Sequence, residues 1–357
     1  VIFGVTGTNG KSTVSYMLNE ILKRHFNKTG VIGTLGYYIG DDHYSLEHTT
    51  PDSYELFNIL DKMVKAGVEA VSMEVSSHGL KQQRAHGINF AAAMFTNLTQ
   101  DHLDYHDNME EYFSCKTLLF KSVDKNGTSV INVDDPYGKR LFKIIDGKIL
   151  TYGIENNLLD VRATDIDSDI NGSSFYIQMG SCLYSIRLNV PGIFNIYNSL
   201  AAFCVAYAYG IDPTLAINAL SSFKGISGRF QLIEGKQPFS VIVDYAHTPD
   251  ALKTTVLESK NIAEGNVIVV FGAGGDRDRS KRSIMGSYVA QYADLIIVTS
   301  DNPRTEDPDL IIDDIVNGIP SKIDYLRIPG RKEAILTALN NAQSGDVVLI
   351  CGKGHED

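Results

Sequence analysis

The chain has 357 residues, 43% hydrophobic and 21% charged, which at roughly 100–200 residues per domain predicts two or three domains and excludes a disulfide-stapled miniprotein. Lys and Arg number 32 against 43 Asp and Glu, a net charge of −11, so a broad basic surface for a nucleic-acid backbone is not expected. No apolar run approaches the roughly 20 residues of a membrane helix, and Cys115, Cys182, Cys204 and Cys351 form no CxxC pair, which fits a reducing cytoplasm and no thiolate zinc site.

Val1 to Val5 is a β-branched run that leads through Gly4-Val5-Thr6-Gly7-Thr8-Asn9-Gly10-Lys11-Ser12-Thr13 into a helix, with Val14, Met17, Leu18, Ile21 and Leu22 on one face. Strand, GxxxxGK[ST] and helix in that order make a P-loop. Its backbone N–H groups and the helix N-terminus cradle phosphate, Lys11 supplies positive charge, and Ser12 offers an oxygen to magnesium. Thr49-Thr50-Pro51-Asp52 then reads as a helix start, with Thr50 as N-cap and Pro51 at the first helical position, and Gly67 as the stop. Ala70 to Ser76 alternates as a strand that delivers Glu74 and Ser76 to its C-terminal end. A carboxylate there can hold Mg²⁺ or be a solvated charge.

Phe90 to Phe95 is a buried strand that empties into a polar loop containing Asp101-His102-Leu103-Asp104-Tyr105-His106, a group of potential metal or phosphate ligands. The next helix runs through Tyr112 to Phe120, where Lys116 reads from its pattern alone as a lysine snorkelling beside a core face. Val161 to Asn189 changes to short alternating strands with an Asn171-Gly172 turn, a small antiparallel side sheet. A helical pair spans about Asn195 to Phe223, and Lys224 to Gly228 reads as a linker. Beyond Arg229, strands Val241–Asp244, Val267–Phe271, Leu295–Thr299 and Val347–Ile350 alternate with helices.

The expected fold is therefore α/β: a P-loop domain with a mostly parallel sheet and a small antiparallel side sheet over residues 1–227, then a Rossmann-like domain over 228–357. Ligands should sit outside the carboxyl ends of the strands. Phe271-Gly272-Ala273-Gly274-Gly275-Asp276-Arg277 matches a dinucleotide fingerprint poorly. Asp301-Asn302-Pro303-Arg304 is either a solvated turn or a fixed arginine suited to bidentate capture of a carboxylate. The chain opens inside an apolar strand and closes soon after another, so both ends read as cut.

The series formed by the P-loop, His48-Thr49-Thr50-Pro51, Met73-Glu74-Val75-Ser76-Ser77-His78, Asn97-Leu98-Thr99-Gln100-Asp101-His102-Leu103-Asp104 and Gly192-Ile193-Phe194-Asn195-Ile196-Tyr197-Asn198 closely resembles the Mur ligases. So do Gly228-Arg229-Phe230, Asp244-Tyr245-Ala246-His247-Thr248-Pro249, Gly274-Gly275-Asp276-Arg277-Asp278, Asp301 to Arg304, and Gly352-Lys353-Gly354-His355-Glu356. Within that family the resemblance is to the ligases that add the third amino acid of the peptidoglycan stem peptide.

The resemblance implies a cytoplasmic, monomeric enzyme whose uridine-nucleotide-binding domain would precede Val1. It implies phosphoryl transfer from ATP to the terminal D-glutamate carboxylate of UDP-N-acetylmuramoyl-L-alanyl-D-glutamate, then attack by an amino group on the acyl phosphate, with no nucleic acid or membrane partner. Lys11, Glu74, His102 and Lys116 are the implied catalytic residues; Ser12, Glu74, His102 and Lys116, the last as a carbamate, are the implied Mg²⁺ ligands. ATP would meet Gly7, Thr8, Asn9, Gly10, Lys11, Ser12 and Thr13, with Asn195 and Asn198 on the adenine side and Arg229, Asp244 and His247 from the second domain. Thr49, Thr50, Ser76, Gln82 and Arg84 match muramoyl-peptide positions, and Arg277, Asp301, Asn302, Arg304, Gly352 and Glu356 match amino-acid positions. Family members that use meso-diaminopimelate carry DNPR, so that is the implied acceptor; an L-lysine-adding relative, or a folylpolyglutamate or cyanophycin type of ligase, is the alternative.

Overall fold

The computed structural model describes residues 1–155 and 159–354. In chain order the first part contains β1 (Ile2–Thr6), α1 (Lys11–His25), β2 (Thr29–Gly33), β3 (Gly36–Ile39), β4 (Asp42–Tyr44), α2 (Ser53–Lys65), β5 (Ala70–Glu74), α3 (Ser77–Lys81) and β6 (Phe90–Phe95). It continues with α4 (Met109–Phe120), β7 (Val123–Asn132), α5 (Pro136–Phe142), β8 (Lys148–Gly153), β9 (Val161–Asp169), β10 (Gly172–Met179), β11 (Cys182–Leu188), α6 (Ile193–Tyr209) and α7 (Pro213–Ser221).

These strands form one sheet in the order β11-β10-β9-β8-β7-β6-β1-β5-β2-β3-β4. It is parallel from β9 to β2 and antiparallel at both ends. The antiparallel stretch expected over Val161–Asn189 is present, joined to the parallel part through only two register pairs, Tyr152 with Val161 and Gly153 with Arg162.

β1 lies between β5 and β6, and the register sets Val5 against both Glu74 and Met94, and Thr6 against Phe95. The P-loop, Glu74 and the loop after Phe95 therefore leave the sheet at one edge, the carboxyl edge where α/β folds bind ligands. Met17, Leu18 and Ile21 of α1 pack with Leu200 and Phe203 of α6 on one face of the sheet. Leu56 and Met63 of α2 and Leu119 of α4 pack on the other. Full burial of each such side chain contributes about 1.5–3 kcal/mol.

The second part contains β12 (Gln231–Leu232), β13 (Ser240–Asp244), α8 (Pro249–Ile262), β14 (Val267–Phe271), α9 (Ser280–Tyr292), β15 (Leu295–Val298), α10 (Pro308–Val316), β16 (Leu326–Arg327), α11 (Arg331–Asn341) and β17 (Val347–Cys351). Its sheet runs β12-β13-β17-β14-β15-β16, parallel except for β12. The unbroken apolar run of β14 follows from cover on both faces. Val267, Val269 and Phe271 join one core while Ile268 and Val270 join the other.

The helix start near Thr50 is corrected. The N-cap of α2 is Asp52, whose carboxylate accepts from Glu55 N at 2.9 Å. The Thr50 hydroxyl is used elsewhere, donating to Glu74 O at 3.1 Å and accepting from Ser76 N at 3.0 Å. Strand β5 also ends at Glu74 rather than Ser76, because Ser76 caps α3 by accepting from Gly79 N.

Candidate active site

The P-loop is bound to the loop that follows β6. Thr8 N donates to Asn97 O at 2.9 Å, Asn9 N donates to Asn97 Oδ1 at 2.9 Å, and Thr96 Oγ1 donates to Asn9 O at 2.6 Å. A side chain at Gly7 would overlap the Thr96 hydroxyl, and one at Gly10 would overlap Asn198 Oδ1. Gly10 also holds a φ of 87° as N-cap of α1 and makes no side-chain cap, so the first-turn N–H groups remain available to an anion. Lys11 Nζ folds over the loop and donates to Gly7 O at 3.0 Å and Thr8 O at 2.8 Å. Burial pulls its pKa below the usual lysine value, against the attraction of Glu74 and Asp101.

Glu74 is fully buried at the end of β5. Its two oxygens accept from Thr34 N at 3.0 Å and Thr34 Oγ1 at 3.1 Å. The sequence reading did not find Thr34. The only local sign is Gly33, where a side chain would overlap the Glu74 carboxylate.

His102 adopts φ 55° and turns back on Asp101, with Nε2 at 3.4 Å from Asp101 Oδ2. Burial pushes its pKa down to about 4 even though Asp101 opposes this, so the ring is neutral at physiological pH. Burial raises the Asp101 carboxyl, but its interactions with His102, His247 and Lys281, together with the His102 N–H, outweigh this and hold the carboxyl below its ordinary value.

Lys116, on α4, is 2% exposed, and its Nζ donates to Gly7 O at 2.8 Å. The ammonium also lies 4.5 Å from the centre of the Tyr112 ring, whose hydroxyl is 3.2 Å from Thr8 Oγ1. Burial, then the nearby Lys11, lower its pKa well below the ordinary lysine value. This is a different environment from a snorkelling lysine, whose charged head reaches water.

The second part contributes across the opening. Arg229 lies over the Tyr245 ring at 4.3 Å, and Asp244 accepts from Phe230 N at 2.6 Å and Ala246 N at 2.7 Å. Burial pushes the Asp244 carboxyl up, with Arg229 opposing. His247 Nδ1 sits 2.9 Å from Tyr245 O. On α6, Asn198 Nδ2 donates to Asn195 Oδ1 at 3.2 Å, and Asn195 Nδ2 donates to Pro191 O at 2.7 Å.

One cavity of about 800 Å³ is lined by Thr8 to Thr13, Glu74, His102, Lys116, Asn195, Asn198, Arg229, Asp244 and His247, and also by Thr49, Thr50, Ser76, Arg84 and Arg277. Gln82, Asp301, Asn302, Arg304 and Gly352 are not in its lining. Gln82 Oε1 accepts from Arg84 Nε at 2.8 Å. Asp301, Asn302 and Arg304 follow β15, and Arg304 Nη1 donates to Gly275 O at 2.5 Å. A side chain at Gly352 would overlap Asp301, and Arg331, which the sequence reading did not single out, donates to Cys351 O at 2.8 Å. Glu356 lies outside the described residues. Arg277 belongs to the cavity wall and pairs with Asp104 at 3.6 Å.

A P-loop facing a second, Rossmann-like sheet across a shared cavity defines a P-loop nucleotide-using protein of two α/β units. Residues 5–206 match the Mur ligase middle domain and residues 228–354 match the Mur ligase glutamate ligase domain, and the chain belongs to the Mur ligase family. It is 46% identical over 356 residues to the UDP-N-acetylmuramoyl-L-alanyl-D-glutamate–2,6-diaminopimelate ligase of Caldanaerobacter subterraneus subsp. tengcongensis, covering 99% of this chain and 73% of that protein. The protein of the same name from Bacillus velezensis is 44% identical over 361 residues, with 99% and 73% covered. A solved structure with that name superposes with a TM-score of 0.72 at 37% identity, covering 99% of this chain and 73% of that one. Use of ATP follows from family membership. No helix among the described residues is long and apolar enough to cross a membrane.

Proposed function

We propose that this chain is the catalytic part of an ATP-dependent ligase that joins meso-diaminopimelate to UDP-N-acetylmuramoyl-L-alanyl-D-glutamate in peptidoglycan synthesis, in the cytoplasm. The observation that carries the reading is the single cavity in which the P-loop, Glu74, His102 and Lys116 face Arg229, Asp244 and His247. The names of relatives 42–46% identical supply the substrates. Residues 1–227 are assigned to the ATP-binding domain and 228–357 to the domain that closes on it.

A carboxylate oxygen of the terminal D-glutamate attacks the γ-phosphorus of ATP, the bond to the β–γ bridging oxygen breaks, and ADP leaves. The amine of the acceptor then attacks the acyl carbon, phosphate leaves with the C–O pair, and the nitrogen loses its proton. Lys11 and the first-turn N–H groups of α1 hold the phosphates and offset the charge that builds on them. Asn195 and Asn198 face the nucleotide base, while Arg229, Asp244 and His247 reach the nucleotide from the second domain. Thr49, Thr50, Ser76, Gln82 and Arg84 are assigned to the muramoyl peptide, and Arg277, Asp301, Asn302, Arg304, Gly352 and Glu356 to the incoming amino acid. Arg304 is the residue assigned to the distal carboxylate of diaminopimelate.

The donor set fits a divalent cation. The Ser12 hydroxyl is a hard oxygen donor, the Glu74 carboxylate is engaged among the described residues only by Thr34, and the His102 ring is neutral, the form that binds metal. Magnesium bound by Ser12, Glu74, His102 and carbamylated Lys116 would supply positive charge at the terminal phosphates. Burial favours the uncharged amine of Lys116, the form whose lone pair adds to CO₂ with loss of a proton.

Phosphate release by the full-length protein with ATP, magnesium and UDP-N-acetylmuramoyl-L-alanyl-D-glutamate tests this, with meso-diaminopimelate and L-lysine compared as acceptors. Release with diaminopimelate alone is the expected result. A preference for lysine would overturn the assignment of Arg304, and release with neither would overturn the ligase reading.

A further inference from the structure

Two of the loops that carry residues assigned to the amino acid, one after β14 and one after β15, are packed backbone against backbone. Gly275 N donates to Asn302 O at 2.9 Å, and a side chain at Gly275 would overlap Pro303 O. Each loop holds one non-glycine residue in the left-handed region, Asp276 at φ 51° and Arg304 at φ 52°. Such conformations are strained for residues with a side chain and persist only where the surroundings over-determine them.

The surroundings converge on one ion-pair network behind the loops. Asp276 N donates to Glu306 Oε1 at 2.6 Å, and Asp276 Oδ2 accepts from Thr305 N at 3.1 Å. Glu306 in turn is held by Arg282 through two parallel bonds, Nη2 to Oε1 at 2.8 Å and Nη1 to Oε2 at 3.0 Å. Arg282 also donates to Asp314 Oδ2 at 2.8 Å and Gly274 O at 3.3 Å, and its side chain is 1% exposed. Arg279 adds an exposed contact to Glu306 at 2.9 Å. One buried guanidinium on α9 thus ties the Gly274 loop, the Arg304 loop and α10 together.

We infer that Arg282, acting through Glu306, is a positioning residue for the incoming amino acid: it fixes the two strained loops so that Arg277 and Arg304 stand ready for the carboxylates of the acceptor. This rests on the ligase reading above. Neither Arg282 nor Glu306 lines the nucleotide cavity, and of the two arginines they fix only Arg277 reaches its wall, so loss of the network loosens the acceptor site far more than the ATP site. The planar fork matters because an ammonium in its place cannot make both bonds to Glu306 while reaching Asp314 and Gly274.

The test is steady-state kinetics of the full-length enzyme carrying Arg282→Lys, Glu306→Gln or both, with acceptor and ATP varied separately. Each single variant is expected to raise KM for diaminopimelate about tenfold while KM for ATP stays within twofold, and the double variant is expected to add little to either single one. A merely structural role would reduce the active fraction and lower kcat with the acceptor KM unmoved, and that outcome in Glu306→Gln overturns the inference. Should Arg282→Lys fail to fold, Glu306→Gln decides alone. A parent enzyme that releases no phosphate with any acceptor overturns the ligase reading and this inference with it; an active parent with unmoved acceptor KM in both variants overturns only the inference.

Discussion

Burial and Lys11 both oppose a positive charge on Lys116. Between its lowered folded pKa and the ordinary lysine value near 10.4, the unfolded chain binds a proton there that the folded chain does not. Stability therefore rises with pH across that window, and at neutral pH the residue works against folding. Lys116→Met keeps the length of the stem and removes the ionisable group. In CO₂-free buffer it is expected to raise Tm at pH 7 by ~2 °C or more, with the gain shrinking as pH approaches 10, and to abolish phosphate release, which bicarbonate does not restore. Thermal melts at pH 7 and 9.5 beside the activity assay check both halves. A variant that turns over normally would remove Lys116 from the mechanism, and one that melts lower at pH 7 would show that the Gly7 and Tyr112 contacts outweigh the cost of burying the amine.

At the scale of the elements, the hydroxyl of Thr50 joins the segment before α2 to the end of β5 and the start of α3, through Glu74 O and Ser76 N. Thr50→Val keeps the shape and leaves the half-buried Ser76 N–H without its acceptor, which costs about 1 kcal/mol. Urea unfolding is expected to show that loss for Thr50→Val and well under half of it for Thr50→Ser; a larger loss for Thr50→Ser than for Thr50→Val would mean that the methyl group, not the hydroxyl, holds the joint. This joint also shows why the sequence misled at α2. Thr-Thr-Pro-Asp carries two workable caps, and the choice of Asp52 is made by residues 24 and 26 positions beyond Thr50. What was legible was local: the P-loop glycines, the buried apolar run of β6 and the apolar run of β14 each declare themselves within ten residues. Thr34 was missed because its partner Glu74 is 40 positions away. The antiparallel additions β3 and β4 were missed because a short edge ladder has little apolar periodicity to read, and β4 is exposed throughout.

Across the whole molecule the cavity is shared, so the strength of the contacts between its two halves governs nucleotide binding. Arg277 and Asp104 are a half-exposed ion pair at 3.6 Å, a kind that contributes roughly 0–1 kcal/mol. Phe194 at the start of α6 meets Phe230 edge to face at 5.1 Å. Glu258 of α8 is 7% exposed, and its Oε2 accepts from Ile193 N at 3.0 Å, the first residue of the helix that carries Asn195 and Asn198. A carboxylate at that position meets the positive end of the helix dipole as well as a first-turn N–H with no intrahelical partner. Burial pushes the Glu258 carboxyl up, with Ile193 N opposing. Glu258→Ala strands the Ile193 N–H and frees α6 from α8. It is expected to raise KM for ATP about tenfold, equivalent to about 1.4 kcal/mol, with KM for the acceptor unchanged. Glu258→Gln retains an accepting oxygen and is expected to stay within about threefold of the parent, because the hydrogen bond and not the charge sets the docking of the two halves. If the glutamine variant binds ATP as weakly as the alanine variant, the charge at the helix end is what matters, and if neither weakens ATP, the apolar contact between Phe194 and Phe230 holds the halves together without it.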